Sequence, residues 1–316
     1  MSESRIEVTV VDRVQAADDV VALLLESATG APLPPWTPGA HVDIHLPDGV
    51  IRQYSLSSSP TDSSRWRLGV LREEQGRGGS AWIHGSLAVG ATLTVSAPRN
   101  NFALHEAPSY RFVAGGIGIT PLLPMIAHVA SSGADWRLLY GGRTRQSMAF
   151  VDELSTYGDR VEVRPQDEFG LLDLERFLAQ PRSGEQIYAC GPEPMLRAVE
   201  AARAHWPADS LHVERFAATK IEDAEDRAFE VEFAESGLTA TVEAGTTILE
   251  VAEGLALNVF SSCREGTCGT CETTILEGTA EHRDALLTPR EQAANETMMI
   301  CVSRAAAGCS RLKLAL

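Results

Sequence analysis

Hydrophobic and polar positions alternate in short runs through residues 1–104: "IEVTVVDRV", "VALLLES", "HVDIHL", "RQYSLSS", "RWRLGVLR" and "TLTVSAP". A period of two sends successive side chains to opposite faces, so each run predicts a half-buried β-strand. Turn-forming stretches such as "PLPPWTPG" and "LPDGV" separate them. About six antiparallel strands of this kind predict a closed β-barrel, because closure removes exposed sheet edges. The pattern changes at Tyr110. "YRFVAGG" is a compact apolar strand ending in glycine, and "TPLLPMIAHVASSG" follows with helical spacing. Strand and helix then alternate through "WRLLYGG", "FVDELSTYG", "VEVRPQD", "LDLERFLAQ", "QIYACG", "PEPMLRAVEAARAHW" and "LHVERF". This alternation predicts an α/β domain, a parallel sheet with helices on both faces. After Phe216 the polar stretch "AATKIEDAEDRA" reads as a linker. "FEVEFAESGLTATVEA" then reads as a hairpin, "TTILEVAEGLAL" as a short helix capped by threonine, and "ETTILEG" as a further strand. The expected layout is a barrel at 1–104, an α/β domain at 105–218, a linker at 219–227 and a small α+β domain at 228–316.

Length and composition fit this layout. At 316 residues, with 44% hydrophobic and 22% charged positions, the chain reads as a multidomain soluble globular protein. No apolar run approaches the ~20 residues that cross a bilayer. The start, "MSESRIEVTV", lacks the basic and apolar regions of a signal peptide. A cytoplasmic location is therefore expected, where thiols stay reduced and six cysteines serve as ligands, core residues or catalysts. The net charge of −16 argues against nucleic acid and anionic membrane as partners. It is unevenly spread, with 17 acidic against 8 basic residues from Thr219 onward. Solubility accounts for such a surplus, and so does an acidic face that steers a basic protein partner.

Three cysteines crowd into "SSCREGTCGTC". The spacing Cys263-x4-Cys268-x2-Cys271, with Cys301 arriving alone, is that of a plant-type [2Fe–2S] cluster. A four-cysteine zinc site usually comes as two separate pairs, so zinc or a chance group of thiols fits less well. Four thiolates and two sulfides concentrate negative charge that backbone N–H donors must meet. Gly266 and Gly269 let the loop wrap tightly enough to aim them inward, and Arg264 adds a positive charge. Cys309 competes with Cys301 as the fourth ligand but lies near the chain end. Cys190 falls outside this segment.

"SCREGTCGTCETTILEG" followed by "MMICVSRA" resembles the C-terminal ferredoxin domain of the phthalate dioxygenase reductase family. The resemblance implies a β-grasp fold for the last domain. It also implies an electron path from a nicotinamide through FMN to the cluster. A one-electron cluster cannot take a hydride directly, so a flavin must mediate. In "RQYSLSS", Arg52 and Tyr54 lie on one side of a strand and Ser55 on the other. Guanidinium, aromatic ring and hydroxyl suit phosphate pairing, ring stacking and ring hydrogen bonding, although ordinary surface strand residues carry the same groups. In "GRGGSAWIHG", Gly78, Gly79 and Ser80 lead into a helix and form either a phosphate cradle or a serine-capped turn. Together the two pieces match the family's flavin pattern, and the short GGS turn resembles its FMN-using members.

"VAGGIGITP" crosses from strand to helix through Gly115, Gly116 and Gly118, with Thr120 and Pro121 where the helix begins. It departs from the G-x-G-x-x-G fingerprint but places backbone at a strand's C-terminal edge, where ligands bind in open α/β sheets. Tight strand–helix packing would use the same glycines. With "ACGPEPM" (Cys190, Gly191, Pro192) it resembles the nicotinamide-binding domain of ferredoxin–NADP⁺-reductase-like enzymes, where the second motif lies by the nicotinamide. No general base sits beside Cys190 in sequence to make it a nucleophile. Phe216 in "HVERF" matches a family aromatic that closes on the flavin, and also suits a core position. Arg143 and Arg145 suit either an NADPH phosphate or solvent, and the resemblance favours NADH. The implied protein is a monomeric NADH-dependent reductase whose acceptor is a Rieske-type oxygenase, or alternatively a haem-thiolate monooxygenase. Two rivals are a cluster-bearing redox sensor and a flavin reductase with structural zinc.

Overall fold

The computed structural model describes residues 5–74, 76, 78–216 and 226–316. The chain divides into two compact units, Met1–Glu214 and Arg215–Leu316. The linker expected at 219–227 lies outside the described residues except for Asp226 and Arg227.

The first unit opens with six strands: β1 (Arg5–Ala17), β2 (Val20–Ser27), β3 (His41–His45), β4 (Ile51–Ser55), β5 (Arg65–Leu71) and β6 (Thr92–Ser96). They form one antiparallel sheet in the order β4-β3-β6-β1-β2-β5. Its end strands meet through a bridge between Leu56 and Leu68, and the Ser57 N–H donates to the Arg67 carbonyl at 2.8 Å. The alternation predicted from sequence supplies the core: Val8, Val10, Leu23, Leu25, Val42, Ile44, Trp66, Leu68 and Val95 are buried together. Helix α1 (Gly79–Ser86) contributes Ile83 to that core.

The same unit continues with β7 (Ser109–Gly115), α2 (Leu122–Ser132), β8 (Asp135–Gly142), α3 (Val151–Ser155) and β9 (Val161–Pro165). Single helical turns α4 (Gln166–Phe169) and α5 (Leu174–Phe177) come next, followed by β10 (Gln186–Cys190), α6 (Glu193–Ala202) and β11 (Leu211–Glu214). The five strands pair in parallel, in the order β11-β10-β7-β8-β9. Strand periodicity sorts the side chains into two cores, one per face. Phe112, Leu138, Tyr140 and Tyr188 lie in one, and Val113, Leu139, Ile187 and Ala189 in the other. The helix expected over "LDLERFLAQ" is a single turn. Asp173 starts it by accepting from the Arg176 N–H at 3.0 Å, and Pro181 follows too soon for a second turn.

The second unit holds β12 (Phe229–Phe233), β13 (Leu238–Val242), α7 (Ile248–Gly254), β14 (Glu272–Glu277) and β15 (Ala280–Glu281). After these come α8 (Pro289–Ala294), β16 (Thr297–Met299), β17 (Arg304–Ala305) and β18 (Arg311–Leu314). The main sheet runs β13-β12-β18-β14-β16, with β15 and β17 paired beside it. The predicted hairpin is present, with Phe233 opposite Leu238. The threonine cap of α7 is a capping box in which Thr247 and Glu250 satisfy each other's backbone N–H groups. Buried Arg304 fastens the segment after Cys301 by donating to the carbonyls of Arg227, Glu243 and Thr246. Among the described residues no helix is long and apolar enough to cross a membrane.

Candidate functional site: two nucleotide motifs and a thiol loop

On the antiparallel sheet, β4 carries Arg52 opposite Ile44, Tyr54 opposite Val42, and buried Ser55 opposite His41. Tyr54 packs half-buried against the core, and burial pushes its hydroxyl well above the ordinary phenol range despite nearby Arg52. The second motif meets the first. A Cβ on Gly79 would stand 2.7 Å from Arg52 Cγ, so only glycine lets α1 begin against that side chain. Gly78 turns into the helix with φ of 83°, and buried Ser80 accepts the Glu73 N–H at 3.0 Å. A guanidinium, a helix start and an aromatic ring therefore share one place, a donor set that fits a flavin mononucleotide.

The two nicotinamide motifs come together because β7 and β10 are neighbours in parallel, with Ala114 opposite Cys190. A Cβ on Gly118 would lie 2.3 Å from the Cys190 carbonyl oxygen, and one on Gly191 would lie 2.9 Å from Gly115 Cα. The crossing brings backbone onto backbone, with the Pro192 and Met195 side chains packed against it. The loop passes through a 3-10 turn (Gly116–Ile119), and buried Thr120 ties its hydroxyl to the Ile117 carbonyl at 2.9 Å. Pro121 then caps α2. At the neighbouring turn, Pro192 caps α6. Both turns open at the C-terminal edge of the sheet, where a dinucleotide fits.

Cys190 is fully buried, and burial first, then the neighbouring Glu214, pushes its thiol well up. A thiol so held stays protonated and is no nucleophile. Its Sγ lies 4.0 Å from Glu214 Oε2, and burial raises the Glu214 carboxyl to about 8. Glu214 escaped sequence reasoning because only the pairing of β10 with β11 puts it opposite Cys190. Arg143 and Arg145 are both exposed, and Arg145 lines a groove of about 490 Å³ with Val14, Leu24 and Phe150. Phe216, 45% exposed, falls in the second unit.

In the second unit Cys263, Cys268, Cys271 and Cys301 are all buried and free of disulfides. Hydrogen bonds join Cys263 to Cys268 and Cys271 to Cys301, and Cys263 also reaches Cys301. Two of the four thiols are drawn down: Cys268 and then Cys301 lower Cys263, and Cys301 lowers Cys271. Among the described residues no three His, Cys, Asp or Glu side chains converge on a single ion. The four buried thiols form one connected group, and their C-x4-C-x2-C…C spacing suits a binuclear centre better than one zinc. The loop's backbone takes left-handed turns at Arg264, Gly266 and Gly269, with φ of 57°, 67° and 76°. Those turns aim amides at sulfur: the Glu265 N–H donates to Cys263 Sγ at 3.3 Å and the Thr270 N–H to Cys268 Sγ at 3.4 Å. Arg264 reaches away from the thiols to pair with Glu253. Cys309 sits apart, with Sγ 3.4 Å from the Thr279 amide nitrogen and 3.1 Å from the Arg311 carbonyl oxygen.

Two family models match the chain. The 2Fe-2S iron-sulfur cluster binding domain matches residues 231–306, and the oxidoreductase NAD-binding domain matches residues 112–201. The first match takes in Cys263, Cys268, Cys271 and Cys301 and ends before Cys309. Phenoxybenzoate dioxygenase subunit beta of Ectopseudomonas oleovorans is 45% identical over 289 residues, covering 91% of this chain and 90% of the relative. A solved phthalate dioxygenase reductase, described as a modular structure for electron transfer from pyridine nucleotides to [2Fe-2S], is 34% identical with a TM-score of 0.75. That match covers 99% of this chain and 98% of the other. An intact type IV self-sufficient cytochrome P450 monooxygenase matches 99% of this chain at 44% identity and TM-score 0.89. The match spans only 41% of that longer chain.

Proposed function

The chain belongs to the phthalate dioxygenase reductase family, and from that premise we propose that it is the reductase component of an oxygenase system, carrying electrons from NADH through FMN to a [2Fe–2S] cluster and on to a Rieske-type oxygenase. The observation that carries this reading is the conjunction, in one chain, of four buried thiols at cluster spacing with the joined nicotinamide motifs. A flavin held here would supply two-electron acceptance from the nicotinamide and one-electron release toward the cluster. The protein's part is to bind and orient. Arg52, Tyr54 and Ser55 would hold the flavin, and Gly78, Gly79 and Ser80 its phosphate. Gly116, Gly118, Thr120 and Pro121 would cradle the pyrophosphate, with Cys190, Gly191 and Pro192 beside the nicotinamide. Cys263, Cys268, Cys271 and Cys301 would ligate the cluster, and the loop amides on Cys263 and Cys268 would offset its charge.

In this reading the antiparallel sheet is a barrel closed at Leu56 and Leu68, occupying 1–104. The nicotinamide domain is 105–218, the linker 219–227, and a β-grasp ferredoxin domain 228–316. The likeness to a self-sufficient P450 favours a second acceptor, a haem-thiolate monooxygenase. An anaerobic NADH titration followed by absorbance and electron spin resonance tests the scheme. It should take up about three electrons per chain, two in the flavin and one in a cluster of about two irons. Zinc at about one per chain, without visible charge-transfer bands, would end the electron-transfer reading.

A further inference from the structure

We propose that Tyr140 is a positioning residue for the nicotinamide nucleotide, holding the glycine loop after β7 in the shape that takes the pyrophosphate. The inference rests on the glycine-loop reading above and goes beyond it to a residue outside both motifs. Tyr140 lies on β8 with Trp136 and Leu138 on the same face, and all three are buried in one core. Its hydroxyl lies 3.1 Å from the Gly116 carbonyl and 3.1 Å from the Ala149 carbonyl. Burial raises the phenol, so it stays protonated and shares its one proton between the two carbonyls. Gly116 is the first residue past the end of β7, where ladder hydrogen bonds no longer fix the backbone. Its φ of 54° turns the chain sharply. A peptide plane is rigid, and its C=O and N–H point in opposite directions. Holding the Gly116 carbonyl against Tyr140 therefore aims the Ile117 N–H away from the core.

The second acceptor extends the same hold. Ala149 precedes Phe150, a bulky residue at φ of 62°, a conformation that persists only where its surroundings enforce it. The Phe150 ring lies under the Arg67 guanidinium, 4.7 Å from its centroid, and would meet a Cβ on Gly69 of β5 at 3.3 Å. That Cβ would also stand 2.7 Å from Thr120 Cγ2. Both segments tied to the hydroxyl thus pack on β5, the strand that closes the flavin sheet.

Tyr140→Phe removes the hydroxyl and keeps the ring in the core. Binding of ADP-ribose and of adenosine to the holoprotein should be measured by calorimetry, with NADH–ferricyanide kinetics alongside. Losing one such hydrogen bond should weaken ADP-ribose roughly three- to tenfold and raise the KM for NADH by a similar factor. Adenosine affinity and kcat should stay unchanged. Amide exchange at Ile117 in the ligand-free nucleotide site should quicken well below the melting temperature. Unchanged ADP-ribose affinity, equal loss for both ligands, or unchanged Ile117 exchange would each overturn the assignment. Wild-type protein binding ADP-ribose no tighter than adenosine would instead overturn the glycine-loop reading itself.

Discussion

The thiol loop and the nicotinamide crossing both depend on glycine, yet they are assembled over very different lengths of chain. In the loop, Gly266 and Gly269 bend the backbone between cysteines that are near neighbours in sequence, and Cys301 alone comes from afar. At the crossing, Gly118 and Gly191 do nothing locally that alanine could not attempt. They matter because β7 and β10 bring two distant turns within backbone contact. A local site announces itself by spacing. A non-local one is visible only once strands have been paired.

The contrast can be broken most decisively at the thiols. Cys301→Ser should drop iron from about two per chain to near zero and abolish NADH-driven cytochrome c reduction, while ferricyanide reduction persists. Retention of full iron would show that Cys309 or another group is the fourth ligand. A smaller effect is expected at the crossing. Gly118→Ala places a methyl 2.3 Å from the Cys190 carbonyl and must move backbone. Overpacking of that kind costs about 1–3 kcal/mol, and the KM for NADH should rise by about tenfold or more. A variant with unaltered KM and melting temperature would mean that the contact is slack.

The gentlest probe is Glu214→Gln. Burial keeps this carboxyl protonated up to about 8 in the folded chain, whereas the unfolded chain ionises near 4.5. The folded state therefore holds more protons between those values, and stability falls as pH rises through that window. Below it both states are protonated and the penalty vanishes. Melting temperatures from pH 5 to 8 should decline more steeply for the wild type than for the Gln variant. Parallel curves would show that Glu214 ionises freely beside Cys190.

Much of the architecture was legible from pattern alone. The runs from "IEVTVVDRV" to "TLTVSAP" became strands β1 to β6 because a period of two needs no tertiary information. "LDLERFLAQ" misled, since helical spacing cannot show that Pro181 and a single capped turn leave no room for more. Neither "RQYSLSS" nor "GRGGSAWIHG" specifies its partner, and only the fold sets Gly79 against Arg52.

What the sequence determined by itself is the thiol loop: three cysteines, their spacing and the glycines between them are all local, and covalent geometry carries them through folding unchanged. The tertiary structure decided what depends on register. The parallel pairing of β10 with β11 sets Glu214 against Cys190, and the packing of β8 under the glycine loop puts the Tyr140 hydroxyl on Gly116. A shift of one residue in either strand would turn those side chains to the opposite face. No reading of a single segment contains that information, because the energy that fixes register is spread over the buried cores on both sides of the sheet.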